Sequence, residues 1–184
     1  MNINDIKNNL ENDEILLEYL LTDSIIYELA VTQNDFNIVT VPIDSTFLTS
    51  LNYLISLKYV DLSEQTLIKF NEFKFHSHNL WKLLIRPHED FIADNRLIII
   101  PDGLLGYLPF DLLIEYEPES DYIAYRDLPY LLKNHPISYS YSATLKYNTY
   151  FESDKESNRN EILAFAPSYD LNSSDSLKLK NLPF

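Results

Sequence analysis

The 184-residue sequence contains no cysteine. Disulfide bridges, thiolate metal sites and a thiol nucleophile are therefore excluded within these residues. Glycine is nearly as scarce, with only Gly103 and Gly106 in the whole sequence. Neither a Gly-x-Ser-x-Gly nucleophile elbow nor a glycine-rich phosphate loop can be built from two glycines. Basic residues are outnumbered, 14 Lys and Arg against 28 Asp and Glu, for a formal net charge of −14. They are scattered singly, so phosphate backbones and acidic membranes are repelled, and neither nucleic acid nor membrane is expected as a partner. No apolar run approaches the length that spans a bilayer. The N-terminus is polar and acidic, the opposite of a secretory signal, which makes cytoplasmic the default address.

What is present suffices for a core. With 46% hydrophobic and 14% aromatic residues the chain reads as folded rather than disordered. Its length allows one domain, or one domain with a small appendage. The organising stretch is 96–113, Arg-Leu-Ile-Ile-Ile-Pro-Asp-Gly-Leu-Leu-Gly-Tyr-Leu-Pro-Phe-Asp-Leu-Leu. The aliphatic run 97–100 suits a strand covered on both faces. Pro101 removes a ladder donor, and Asp102-Gly103 supplies a turn that tolerates positive φ. Both glycines fall in this turn region, where backbone geometry is the expected reason for them.

Upstream, residues 1–13 form a polar lead-in, either a short helix or disordered. Three β-rich segments separated by Thr22-Asp23-Ser24 and Gln33-Asn34-Asp35 read as an antiparallel meander ending near Val41. Asp44-Ser45 is a helix N-cap, followed by Phe47, Leu48, Leu51, Leu54 and Ile55 at helical spacing. A second start signal lies at Asp61 with Glu64 in capping-box relation. Leu67, Phe70, Phe73, Leu80, Trp81 and Leu84 mark the stripe of a long helix that Pro87 stops or kinks. Downstream come an acidic loop after Leu113, a short helix or connection at 128–132, and a strand at 136–142. A helix at 143–150, a polar linker at 152–160 and a buried-type strand at 161–167 follow.

Chemistry-bearing groups are sparse. His76 and His78 are two apart on a helix and point in different directions, so they cannot share a metal. His88, flanked by Glu89 and Asp90, reads as a capping or surface residue, and His135 before Pro136 sits in extended backbone. No histidine is expected to sit beside an obvious nucleophile. Ser138, Ser140 and Ser142 alternate on one strand face, which close sheet packing explains. With 28 acids, paired carboxylates arise by chance. No catalytic centre, metal site or cofactor is expected.

The stretch 98–113 closely resembles the signature of CHAT domains, a family of caspase- and separase-like cysteine peptidases usually carried behind tetratricopeptide repeats. The signature positions are Pro101, Asp102, Gly103, Leu108, Pro109 and Phe110. Residues 15–20, 25–32, 81–87, 130–145 and 161–167 resemble the family's other segments in order, so the likeness covers most of the chain from about residue 14. Leu182-Pro183-Phe184 resembles the lead-in to the first helix of the caspase-like core. The family's catalytic His and Cys lie at the ends of later core strands, and nothing in this sequence aligns with either.

The resemblance implies α/β architecture: a small antiparallel β unit and helical hairpin, followed by the first strands of a caspase-like sheet. The division expected is a lead-in at 1–13, meander plus helix at 14–60, and long helix with the front of the core at 61–184. Residues 14–184 then form one continuous domain. It implies a scaffold inactive alone, its partners being a polypeptide substrate or partner chain, the remaining C-terminal part of the CHAT domain, and tetratricopeptide-repeat regions. By analogy with caspases, Ser168, Tyr169 and Asp170 would lie near a substrate groove, where an acid favours a basic P1 residue. A front portion would also leave the edge of strand 162–166 open to self-association or a partner strand. The competing expectations are a non-enzymatic interaction module and, further off, an unrelated acidic α/β protein.

Overall fold

Four aliphatic side chains in a row, Leu97, Ile98, Ile99 and Ile100, stand at the centre of the sheet, each at most 3% exposed. In the computed structural model they belong to β4 (Arg96–Ile100), hydrogen-bonded on both sides to parallel partners, β1 (Glu14–Leu21) and β5 (Ile137–Tyr139). Covering both faces of a strand removes the need for polar alternation, so the run is uniformly apolar. The structure describes residues 2–57, 66–92 and 95–152. The capping box at Asp61 and Glu64, the strand at 161–167 and the loop at 168–170 lie outside these residues.

The expected meander is present as β1, β2 (Ile25–Val31) and β3 (Phe36–Pro42), antiparallel throughout. It is not a separate unit. Leu16 pairs with Ile98 and Leu17 with Ile99, so meander and centre form one five-stranded mixed sheet of order β3-β2-β1-β4-β5. The lead-in is α1 (Ile3–Asn9), started by a capping box in which the Asn2 side chain accepts from Asn4 and Asp5 N–H while Asp5 accepts from Asn2 N–H. Asp44 caps α2 (Ser45–Ser56), accepting from Phe47 N–H at 2.7 Å. The long helix α3 (Leu67–Leu84) is capped by Thr66. Pro87 ends it in a short 3-10 turn, Arg86–His88, before α4 (Glu89–Ile92).

Two layers cover the sheet. On one face Ile15, Leu17, Ile26, Ala30, Leu97 and Ile99 pack with Phe47, Leu51 and Leu54 of α2 and Phe70, Leu80 and Leu84 of α3. On the other, Leu16, Val31, Ile98 and Ile100 meet Ile6 and Leu10 around α1 and Ala143 and Tyr147 of α6 (Ala143–Glu152). Leu67, assigned to the α3 stripe, is 39% exposed at the helix start. A short helix α5 (Leu131–Asn134) precedes β5, placed where 128–132 suggested a helix or connection. Ser138 does not pack closely: it is exposed on the outermost described strand, with its hydroxyl on the Leu97 carbonyl at 3.3 Å.

Candidate functional site

The signature turn begins where β4 ends. Asp102 is extended, and its Oδ2 accepts from Leu21 N–H, the last residue of β1, at 2.9 Å. Gly103 follows with φ of +54°, a left-handed conformation that L side chains rarely adopt. A 3-10 segment, Gly103–Tyr107, then carries Leu105 into the core, and Leu108 and Phe110 follow it inward. Gly106 has ordinary φ and open space around it, so backbone geometry does not explain it as it explains Gly103. Replacing Gly103 with Ala is expected to cost about 1–2 kcal/mol, while the same change at Gly106 stays within about 0.5 kcal/mol. Urea denaturation of the two variants measures the contrast, and equal costs would remove the role assigned to positive φ.

Aromatic groups lock the second half of the signature. The Phe110 ring is fully buried against Tyr19 of β1, with centroids 5.4 Å apart, and meets Tyr139 of β5 edge-on at 6.4 Å. The Tyr139 hydroxyl accepts from Phe110 N–H at 3.1 Å and donates to Asp111 Oδ2 at 2.8 Å. Burial and the neighbouring Asp111 carboxylate raise its pKa above the ordinary tyrosine value. Tyr19 hydroxyl reaches the Leu84 carbonyl at the end of α3, at 2.8 Å and buried. Ser77 of the same helix donates to the Leu112 carbonyl at 2.6 Å. Asp102 and Asp111 of the turn, with Tyr19, Ser77 and Tyr139 around it, thus tie β1, β5 and α3 together.

Beside this lock, at the carboxyl ends of β4 and β5, lies a cleft of about 420 Å³ lined by Pro101, Gly106, Tyr139, Ser140 and Tyr141. Carboxyl ends of parallel strands are where α/β sheets commonly take ligands. Two of its lining residues are aromatic and exposed: Tyr139 is 48% and Tyr141 93% exposed. The hydroxyls lining the cleft are held by neighbours, Tyr139 on Asp111 and Ser140 on the Ser142 carbonyl, and among the described residues no group of three His, Asp or Glu converges as for a metal.

The histidines have other partners. His76 Nδ1 lies 3.1 Å from Ser50 Oγ, so a hydroxyl does stand beside an imidazole, contrary to the sequence expectation. Ser50 is fully buried and also accepts from Asn79, which keeps it from any substrate. The pair was invisible in sequence because 26 residues separate its members. His78 turns elsewhere, to the Ile114 carbonyl at 3.2 Å, and His135 to the Asn95 carbonyl at 3.0 Å.

His88 is the clear correction. It is neither a cap nor a surface group but 1% exposed, its Nε2 3.1 Å from Oε2 of Glu28, itself 1% exposed. Burial pushes the Glu28 carboxyl up to about 9 and the His88 imidazole down to about 4. At neutral pH the two therefore share a hydrogen bond as uncharged groups. Glu28 Oε1 and His88 Nδ1 are buried with no hydrogen-bond partner among the described residues. A signal existed in β2: period-two alternation puts Glu28 on the same face as Ile26 and Ala30.

The family described as CHAT domain matches residues 76–184, more than half of the chain. The chain belongs to the CHAT-domain family. The match includes the signature turn, its lock to β5 and the second half of α3. In this CHAT chain the signature is a structural joint, built from Asp102, Gly103 and Phe110 with Tyr139 as its strut. No curated protein matches the chain. None of its described helices is long and apolar enough to cross a membrane.

Proposed function

We propose that this chain is the N-terminal scaffold of a CHAT-family, caspase-like cysteine peptidase and cleaves no peptide alone. One observation carries the proposal: the signature's polar groups are spent on holding strands together, in a sequence with no thiol. Amide hydrolysis of this class needs a thiolate activated by a neighbouring histidine. In the nearest approach, Ser50 with His76, the serine hydroxyl is fully buried and held by Asn79. The thiolate and its base would come from a further CHAT segment, with a polypeptide as substrate and tetratricopeptide repeats as neighbours.

Purified chain is expected to release no fluorophore from peptides with basic, acidic or apolar P1 residues. Release that a substitution within these residues abolishes would overturn the proposal. If Asp170 lines the groove, Asp170→Ala in the active parent lowers preference for basic P1, and an unchanged preference removes that role. The exposed aromatic lining at Tyr139 and Tyr141 favours a second function, a non-enzymatic module that docks another protein. Hydrolysis that appears on adding a His- and Cys-bearing CHAT segment supports the scaffold. Binding without hydrolysis supports the module.

A further inference from the structure

The strand at one edge of the described sheet is β3, and no described strand pairs with its outer side. Two hydrogen bonds bracket its ladder with β2: Thr32 N–H to the Asp35 carbonyl and Ile43 N–H to the Ser24 carbonyl. The register between them runs without a bulge, from Ile25 opposite Pro42 to Val31 opposite Phe36. Antiparallel bonding alternates. Asn37, Val39 and Val41 therefore bond inward to β2, and Phe36, Ile38, Thr40 and Pro42 turn their backbone groups outward. Pro42 has no N–H, which leaves three outward donors. The Phe36 amide is held by its neighbour's carboxylate, Asp35 Oδ1, at 2.8 Å.

Natural sheets guard such an edge with lysines, bulges, shortness or a central proline. Here β3 is seven residues long, and 36–43 carry no charge in a chain of net charge −14. The outward residues are also apolar and exposed: Phe36 is 44% and Ile38 59% exposed. Tyr27, opposite Thr40, and Leu20, opposite Tyr27, extend this exposed strip across the sheet at 42% and 56%.

The geometry points to a second copy of this chain as the occupant, β3 pairing antiparallel with β3 about a two-fold axis at Ile38. The register that sets Ile38 against Ile38 and Phe36 against Thr40 engages all three outward N–H groups on both strands with the carbonyls of the same three residues. Shifting it by one pair toward Pro42 keeps the donors paired but leaves the Phe36 carbonyl facing Pro42, which has no N–H. In the register centred on Ile38, Thr40 N–H donates to the Phe36 carbonyl of the other copy, and each Ile38 donates to its counterpart. Phe36 N–H completes the set by exchanging Asp35 for the Thr40 carbonyl across the axis. Asp35 faces Val41 of the other copy and Asn34 faces Pro42, so no carboxylate meets another. In a chain with 28 acids against 14 bases, an uncharged, self-complementary edge is what lets two copies approach.

The absence of cysteine makes a single-site test possible. In the predicted register, Ile38→Cys places two thiols on residues whose Cα atoms are about 5.5 Å apart, within disulfide range. Thr40→Cys places its thiols roughly 13 Å apart, out of range. Under mild oxidation of the full 184-residue chain, I38C is expected to cross-link into dimers and T40C to remain uncross-linked. Sedimentation equilibrium is expected to show a concentration-dependent dimer. Ile38→Lys, exposed in the monomer and facing itself in the dimer, is expected to raise the dissociation constant at least about tenfold. Monomer at every concentration, a dimer indifferent to I38K, or T40C cross-linking as readily as I38C would each overturn the pairing. So would capture of an unrelated extended peptide on β3 with no self-association.

Discussion

Phe110→Ala is expected to cost about 3–5 kcal/mol of folding stability, the largest single loss among the substitutions considered. Its ring is fully buried between the Tyr19 and Tyr139 rings. Truncation removes that contact area and leaves a hole that the surrounding strands cannot collapse into, since β1, β4 and β5 are fixed by ladder bonds. A typical domain holds about 5–15 kcal/mol in total, so the variant stands near the limit of folding. Leu104, two residues from the second glycine and 49% exposed, serves as the control, with Leu104→Ala expected within about 0.5 kcal/mol. Urea midpoints at unchanged m-value give both numbers. A loss below about 1 kcal/mol for Phe110→Ala would mean the signature ring is not what joins the strands.

The second large effect concerns Glu28 and His88. Replacing His88 with Leu leaves the buried carboxylic acid without a partner, an expected loss of about 1–3 kcal/mol. Replacing both, Glu28→Met with His88→Leu, removes the need for partners and is expected to recover most of it. A double variant worse than the single one would mean the pair is held by something other than its mutual hydrogen bond.

The pH dependence follows from the directions of the two shifts. Glu28 is raised from 4.5 to about 9, so its contribution is fully present below pH 4.5 and is lost as pH rises through about 9. His88 is lowered from 6.5 to about 4, so its contribution is present above pH 6.5 and is lost as pH falls through about 4. Between pH 4.5 and 6.5 the two slopes oppose each other. Above 6.5 only Glu28 acts, and stability falls toward pH 9 by at most about 1.4 kcal/mol per pH unit. Glu28→Gln is expected to lose that slope, and parallel profiles for the two proteins would contradict the protonated state of Glu28.

Elements whose cause is local were legible in the sequence. The run 97–100 announced a strand buried on both faces, and it is β4. Phe70, Phe73, Leu80, Trp81 and Leu84 announced the buried side of α3, and Asp102-Gly103 a turn with positive φ. Pairings between distant segments were not legible. Nothing local in residues 14–21 says that β1 lies parallel to β4, about eighty residues later, so the meander's pairing into the central sheet could not be read from it. His88 misled for a similar reason. Its acidic neighbours Glu89 and Asp90 suggest solvent, while its actual partner sits 60 residues back on β2. Tyr139 gave no sign of bridging Phe110 and Asp111, because a tyrosine on a short edge strand is as readily an outward-facing one.

The parallel pairing of β1 with β4 has a consequence for vectorial synthesis on the ribosome. The hairpins joining β1, β2 and β3 involve near neighbours and can close as soon as residue 43 has emerged, whereas the inner flank of β1 must wait for Arg96–Ile100. Throughout that interval the nascent chain presents Ile15 and Leu17 beside an unfilled slot, and the greasy helices 45–56 and 67–84 are made before the strand they roof. Translation slowed just before codon 96 would prolong this sticky stage, and the growing polypeptide would depend most on chaperones at that point.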